Sequence, residues 1–244
     1  MGIIKLLEQA DEIHLAIALQ ETYWQGLDEK IAFHMLWTII QNGGHLIGAF
    51  EDDELIAILV GLVGFEADLG PYIASKRMVV SEKFRGTGLG YQLKLFQKEL
   101  AMQMGFHLVR WTFDPLLAPN AYLNFHKLGA TSTQYKHDYY GKQAEGSKLL
   151  ADRFVIDWWI RQERETFSDT DLPKINFGDA WDGVSERVLL QIPLQFLSLD
   201  KELQKRWRLH IKTIFLGWGY FRIVDFLRLE TDGYYFVQDI QVKE

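Results

Sequence analysis

An α/β fold, α+β in its strand arrangement, is predicted for this chain by three observations. The first is a strand, glycine loop and helix in immediate succession: the apolar run ending Met78-Val79-Val80, three glycines at alternate positions (Gly86, Gly88, Gly90), then Leu89, Leu93, Phe96, Leu100 and Met104 at helical spacing. The second is the order of elements around that unit, which reads β, α, α, β, β, β, α, β. The third is composition: 244 residues, 48% hydrophobic and 24% charged, match a soluble globular chain that can remove roughly three quarters of its unfolded surface from water.

Taken in order, Ile3 to Leu7 is a short strand, and Asp11 is placed to cap a helix carrying Ile13, Ile17 and Leu19. Asp28 is placed to cap a second helix, with Ile31, Met35 and Ile39 on one face until Asn42-Gly43-Gly44 ends it. The runs 45–50 and 55–64, joined by the acidic turn Glu51 to Glu54, predict a hairpin. Tyr72 to Val80 feeds the glycine loop, Gly105 stops the long helix, and His107 to Phe113 is the next strand. Pro119-Asn120 opens a short helix with Ala121, Phe125 and Leu128 as its buried stripe, closed by Gly129; Thr131 to Lys136 and Arg153 to Ile160 follow as strands, separated by a polar loop at 141–148. Beyond a polar connector, Arg187 to Pro193 reads as a strand, Asp200 caps a helix bearing Leu203, Trp207, Ile211 and Ile214, and 220–229 with 234–240 pair around Asp232-Gly233.

The glycine loop is an anion cradle on physical grounds. First-turn amides of a helix lack intrahelical partners and sit at the positive end of the summed peptide dipoles. Glycines admit close approach of a bulky ligand and positive φ, and Arg85 adds a cation able to hold two oxygens. The spacing excludes a nucleotide-triphosphate loop, which needs Lys-Ser or Lys-Thr after its glycines, and a Gly-x-Gly-x-x-Gly dinucleotide loop.

Arg85-x-x-Gly88-x-Gly90, with Val80 five residues before the arginine, resembles the Arg/Gln-x-x-Gly-x-Gly/Ala motif of the GNAT superfamily of acyl-CoA-dependent N-acyltransferases. The element order extends the resemblance over residues 1–160, and Trp111-Thr112-Phe113-Asp114-Pro115 with Asn120-Ala121 is similar to a group of predicted bacterial and archaeal members without an assigned substrate. The resemblance implies a central mixed, mostly antiparallel twisted sheet flanked by helices in 1–160, a connector at 161–185 and a small β-α-β-β extension at 186–244 packing on the first domain. It implies acetyl-CoA as acyl donor, with Met78, Val79, Val80, Arg85, Gly86, Thr87, Gly88, Leu89, Gly90 and Asn120 as its binding residues and no metal. The strands 72–80 and 107–113 would part below the loop, the pantetheine arm pairing with the main chain of Met78 to Val80 and the N–H near Val80 facing the thioester carbonyl. The chemistry is direct attack by an amine, since the chain has no cysteine to carry the acyl group.

Many family members place a general acid as a tyrosine four residues before the glycine that ends the last helix, and here that residue is Phe125. Tyr122, one turn earlier and on a face with His126, is either a replacement acid or a rim aromatic; Asp114 either handles the amine proton or organises the turn at Pro115; Asn120 is a helix cap or a cofactor contact. His107 and His126 read more simply as structural, and Lys76 and Arg77 alternate to opposite faces of their strand. The Phe125 departure keeps a second function open, a non-catalytic acyl-CoA-binding sensor or interaction protein of the same fold. A formal charge of −7 argues against nucleic acid, and the basic run 205–212 places Trp207 and Ile211 in a core with its charges solvated. No apolar window of membrane-span length and no leader pattern occur, so a cytoplasmic protein is expected, with acyl-CoA, an unidentified amine and a possible homodimer as its partners.

Overall fold

The structure, a computed structural model, describes residues 2–23, 30–141, 152–165, 167, 171–181, 183–229 and 231–240. The chain forms two compact units, Met1–Trp111 with Trp159–Arg161, and Thr112–Trp158 with Gln162–Glu244. No described helix is long and apolar enough to cross a membrane.

The first unit contains β1 (Ile3–Leu6), α1 (Ala10–Glu21), α2 (Phe33–Gln41), β2 (His45–Glu51), β3 (Glu54–Glu66), β4 (Gly70–Val80), α3 (Leu89–Gln103) and β5 (Leu108–Phe113). Strand order is β1-β2-β3-β4-β5, antiparallel except for the parallel pair β4–β5, so the predicted class holds. The β2–β3 hairpin closes on Asp52 and Asp53, both at positive φ (47° and 64°), the two-residue geometry that matches strand twist. Period-two alternation sorts the sheet: Leu46, Ile58 and Val60 pack with Ile13, Ala16, Leu36 and Ile39 of α1 and α2, while Ile47, Ala49, Ala57 and Leu59 pack with Leu93 of α3.

Several local expectations are corrected. α1 starts earlier than Asp11, because the Glu12 carboxylate accepts from the N–H groups of Glu8 and Gln9 (2.9 and 3.1 Å) and makes Gln9 the N-cap. The Asp28 cap lies outside the described residues, as does most of the 141–148 loop. In α2 Leu36, not Met35, faces the core, and Met104 at the end of α3 is exposed.

Beneath α3 lies a polar cluster inside the apolar layer. Lys94 is buried, donates to Ser75 Oγ (2.8 Å) and Gln97 Oε1 (3.4 Å), and places its ammonium nitrogen 3.7 Å from the centroid of the Trp111 ring. Gln97 Nε2 in turn lies 2.8 Å from His45 Nε2. Gly61 makes room for this, since a Cβ there would stand 2.2 Å from His45 Nε2. Burial pushes Lys94 down to about 7, and burial followed by the Lys94 charge pushes His45 down to about 4.

The second unit contains α4 (Ala118–Ala121), continued without a break by a π-helical turn Tyr122–Lys127, then β6 (Thr131–Lys136), β7 (Arg153–Trp159), β8 (Lys174–Ile175), β9 (Arg187–Pro193), α5 (Lys201–Gly217), β10 (Phe221–Leu229) and β11 (Asp232–Asp239). Its strands run β7-β6-β10-β11-β9-β8. Asp200 caps α5 as predicted, accepting from Leu203 N–H at 2.8 Å, and Trp207, Ile211 and Ile214 are buried. The core is aromatic: Phe125, fully buried, meets Phe113, Phe154 and Tyr235 edge-on at 5.7–6.5 Å. Two further corrections arise here. Lys174–Ile175 adds a parallel strand within the expected connector, and Asp232-Gly233 are strand residues, paired with Leu229 and Arg228. Gly233 is there because the Phe226 ring covers it, 2.3 Å from where a Cβ would project.

Lys94 keeps its proton in the unfolded chain up to about pH 10.5 but in the fold only below about 7, so the unfolded state binds more protons across that window and stability rises with pH there. Lys94→Met should flatten the rise in unfolding midpoint between pH 7 and 9.5 relative to wild type, as followed by urea denaturation across pH. Equal slopes in the two proteins would mean that the amine is hydrated.

Candidate active site

The site grows from an unpaired stretch of strand. β4 is bonded to β3 along its whole length, from Ala57 opposite Val80 to Glu66 opposite Gly70. To β5 it is bridged only at Ile73–Val109 and Ala74–Arg110. Where that pairing stops, the β3–β4 register slips from Val60–Arg77 to Gly61–Ser75, leaving Lys76 as the extra residue of a bulge. The bulge breaks the simple alternation expected for Lys76 and Arg77; Lys76 is exposed and Arg77 half-buried.

The amide directions follow from one bond. Ser81 N–H donates to Ile56 C=O at 2.8 Å, so residue 81 occupies a hydrogen-bonded position of the antiparallel ladder, and Val79 and Arg77 share it. Met78 and Val80 occupy the alternate positions. Their N–H and C=O groups point away from β3, toward the side that β5 has left. An extended ligand could add to this edge as a strand would.

At the C-terminal end of β4 the chain makes a short 3-10 turn, Glu82–Phe84, and reaches the glycines. Gly86 and Gly88 hold φ at 78° and 92°, values an L side chain resists, and a Cβ at either would meet no atom within 4 Å. Both glycine requirements named for the loop, positive φ and unobstructed approach, are therefore present. Gly88 C=O accepts from Tyr91 and Gln92 (3.0 and 3.1 Å), so the α3 ladder begins there and the amides of Leu89 and Gly90 precede its first donor. Thr87 Oγ1 turns inward to Phe84 C=O at 2.7 Å. No acidic side chain occupies the first turn of α3, which leaves its positive end uncompensated by the helix itself.

Arg85 is exposed yet packed along one side. Its guanidinium carbon lies 4.5 Å from the centroid of the Tyr23 ring, and the Tyr23 hydroxyl donates to Val80 C=O at 2.5 Å. Tyr23, at the end of α1, is thereby part of the site although no sequence motif marked it.

Of the residues named from the sequence, the first unit brings together Met78, Val80, Arg85, Gly86, Thr87, Gly88, Leu89 and Gly90. Val79 is a core residue, packed on the α1 and α2 side. The second unit holds Asp114, Asn120 and Tyr122. Asp114 grips Arg208 with both oxygens (3.3 and 2.8 Å) and accepts from Leu116 N–H at 3.0 Å, which is the turn-organising arrangement. Asn120 is exposed within α4, whose N-cap is Leu117, so the cap reading is corrected: Pro119 in the first turn needs no donor satisfied and displaces the start by three residues. Tyr122 stacks on His126 at 4.7 Å and lies 4.1 Å beneath the Arg228 guanidinium. His126 Nδ1 lies 3.1 Å from Asp225 Oδ1 and 3.4 Å from Arg164 Nη2. Asp225 is buried and was not marked by the sequence. Among the described residues no group of three or more His, Cys, Asp or Glu side chains could hold a metal ion.

The profile of the acetyltransferase (GNAT) family matches residues 8–130 of the chain. Solved structures share the fold: the acetyltransferase of GNAT family from Streptococcus pneumoniae (14% identical, TM-score 0.52, 64% of this chain and 98% of that one), the ribosomal-protein-S18-alanine N-acetyltransferase from Escherichia coli (13%, 0.50, 70% and 99%) and the NatC complex bound to Gag peptide and CoA (11%, 0.52, 64% and 96%). No curated protein matches the chain in sequence.

Because the space beyond Gly88 is open, its substitution isolates the backbone term. Gly88→Ala should cost about 1–2 kcal/mol of stability from positive φ alone, read by urea unfolding; a neutral result would mean the loop relaxes to negative φ.

Proposed function

The chain belongs to the GNAT acetyltransferase family, and on that premise we propose that it is an N-acetyltransferase, moving an acetyl group from acetyl-CoA to an amine by direct attack in a ternary complex. The observation that carries the reading is the unpaired edge of β4 at Met78 and Val80, continuous with free-approach amides at the start of α3.

The residues present fit the donor. The amides from Gly86 to Gly90 and the Arg85 guanidinium would hold the pyrophosphate, and the main chain of Met78 and Val80 would align the pantetheine arm. When bound, acetyl-CoA supplies the acyl carbon and a thiol leaving group. The Val80 N–H is fixed by the ladder before any ligand arrives, so it can meet negative charge on the thioester oxygen without reorganising, a contribution of about 3 kcal/mol where such donors have been removed. The amine must be neutral to attack, and Tyr122 and Asp114 are the sequence's candidates for its proton traffic. Asp114 is engaged by Arg208 and serves that role only if the pair opens.

A second reading, an acyl-CoA-binding protein without turnover, is favoured by Phe125, a buried core ring where many members carry a phenol. Release of free thiol from acetyl-CoA over a panel of primary amines supports the enzyme; intact acetyl-CoA after prolonged incubation supports the binder.

Acetyl-CoA at 100 times its Kd should stabilise the protein by about 2.7 kcal/mol, several degrees in a thermal shift. Gly88→Val should lose that shift against its own ligand-free baseline. A shift that survives would mean that the phosphates are held elsewhere.

A further inference from the structure

We propose that Tyr23 is the proton donor to the departing thiolate, an inference that rests on the acyl-CoA reading of the β4 edge. Its hydroxyl already sits in that edge. The bond to Val80 C=O spans 57 positions of sequence and occupies one of the polar groups that the ladder turns toward the vacated side. A hydroxyl resting there lies alongside the path assigned to the pantetheine arm, whose amide seeks the same carbonyl. When the arm takes Val80 C=O, the phenol loses its acceptor and must donate to another.

The ring is held independently of the hydroxyl. Arg85 stacks on its face at 4.5 Å, so the residue placed to grip phosphate also fixes the aromatic plane, and the phenol can exchange acceptors by a small torsion. The helix position where the family usually carries a phenol holds Phe125, in the aromatic core of the second unit, and offers no proton.

The step balances. A neutral amine bonds to the acyl carbon, the carbon–sulfur bond breaks with its electron pair on sulfur, and the Tyr23 proton passes to that sulfur. The phenolate then recovers a proton from the acylated nitrogen, directly or through water, leaving an amide, a free thiol and the original side chain.

Tyr23→Phe keeps the ring under Arg85 and removes only the hydroxyl. It should lower kcat for thiol release from acetyl-CoA about a hundredfold with little change in KM. Tyr23→Leu removes the ring too and should also raise KM for acetyl-CoA. A readout without turnover is the affinity ratio of free CoA to desulfo-CoA by calorimetry: wild type should prefer CoA, and Tyr23→Phe should lose about tenfold of that preference, the scale of a hydrogen bond to a charged group. Unchanged kcat and an unchanged ratio in Tyr23→Phe, or a loss confined to Tyr122→Phe, would overturn the assignment while leaving the acetyltransferase reading intact. A wild type that binds acetyl-CoA yet releases no thiol would remove both, and loss of binding only in Gly88→Val would leave the cofactor site standing.

Discussion

Once β5 departs from β4 beyond Ala74 and Arg110, the main-chain groups of Met78 and Val80 have no strand to bond. A backbone donor or acceptor turned away from its ladder needs a partner, and an unmade bond out of water costs about 1–3 kcal/mol. The features around β4 are arranged about that deficit. The bulge at Lys76 falls where the pairing ends, and the glycine loop begins where the unpaired edge ends, so an extended ligand with a charged head could satisfy both in one pose. The chain answers part of the deficit itself by setting the Tyr23 hydroxyl on Val80 C=O.

Below that edge the helix–sheet layer is not uniformly apolar. Lys94, Ser75, Gln97 and His45 form a chain of contacts from α3 through β4 to β2, with Trp111 of β5 closing the amine's other side. Burial drives Lys94 and His45 toward their neutral forms, so the cluster carries less charge than the same side chains would in water. It ties together the two strands that part above it, and Gly61 is the concession that lets it fit.

In the second unit, residues that composition and position nominate for chemistry have been drawn into structure by the last 60 or so residues. Asp114 is matched by Arg208 of α5, and the Tyr235 hydroxyl of β11 donates to Pro115 C=O, so the turn after β5 is held from two elements. Burial, with the Asp114 carboxylate second, pushes the Tyr235 phenol well above its ordinary range, so it keeps the proton it donates to Pro115 C=O. Phe125 completes the same packed group through Tyr235 and Phe154.

The sequence alone determined what depends on local patterns: the order of strands and helices through β5, the β2–β3 hairpin, the strand–glycine loop–helix unit, the Asp200 cap and the core face of α5. Each is encoded by periodicity or by residues whose backbone preferences act within a few positions. It misplaced α1's start, the stripe of α2 and the last hairpin's turn, where a side chain several residues away or across a strand outweighed the local signal, as Glu12 does for Gln9 and Phe226 for Gly233. Only the tertiary structure decided where β5 leaves β4, which way the amides of Met78 and Val80 point, and that Tyr23, Lys94 and Asp225 meet partners 57, 19 and 99 residues distant. Those outcomes depend on register and on contacts between elements, and neither leaves a period or a spacing in the chain.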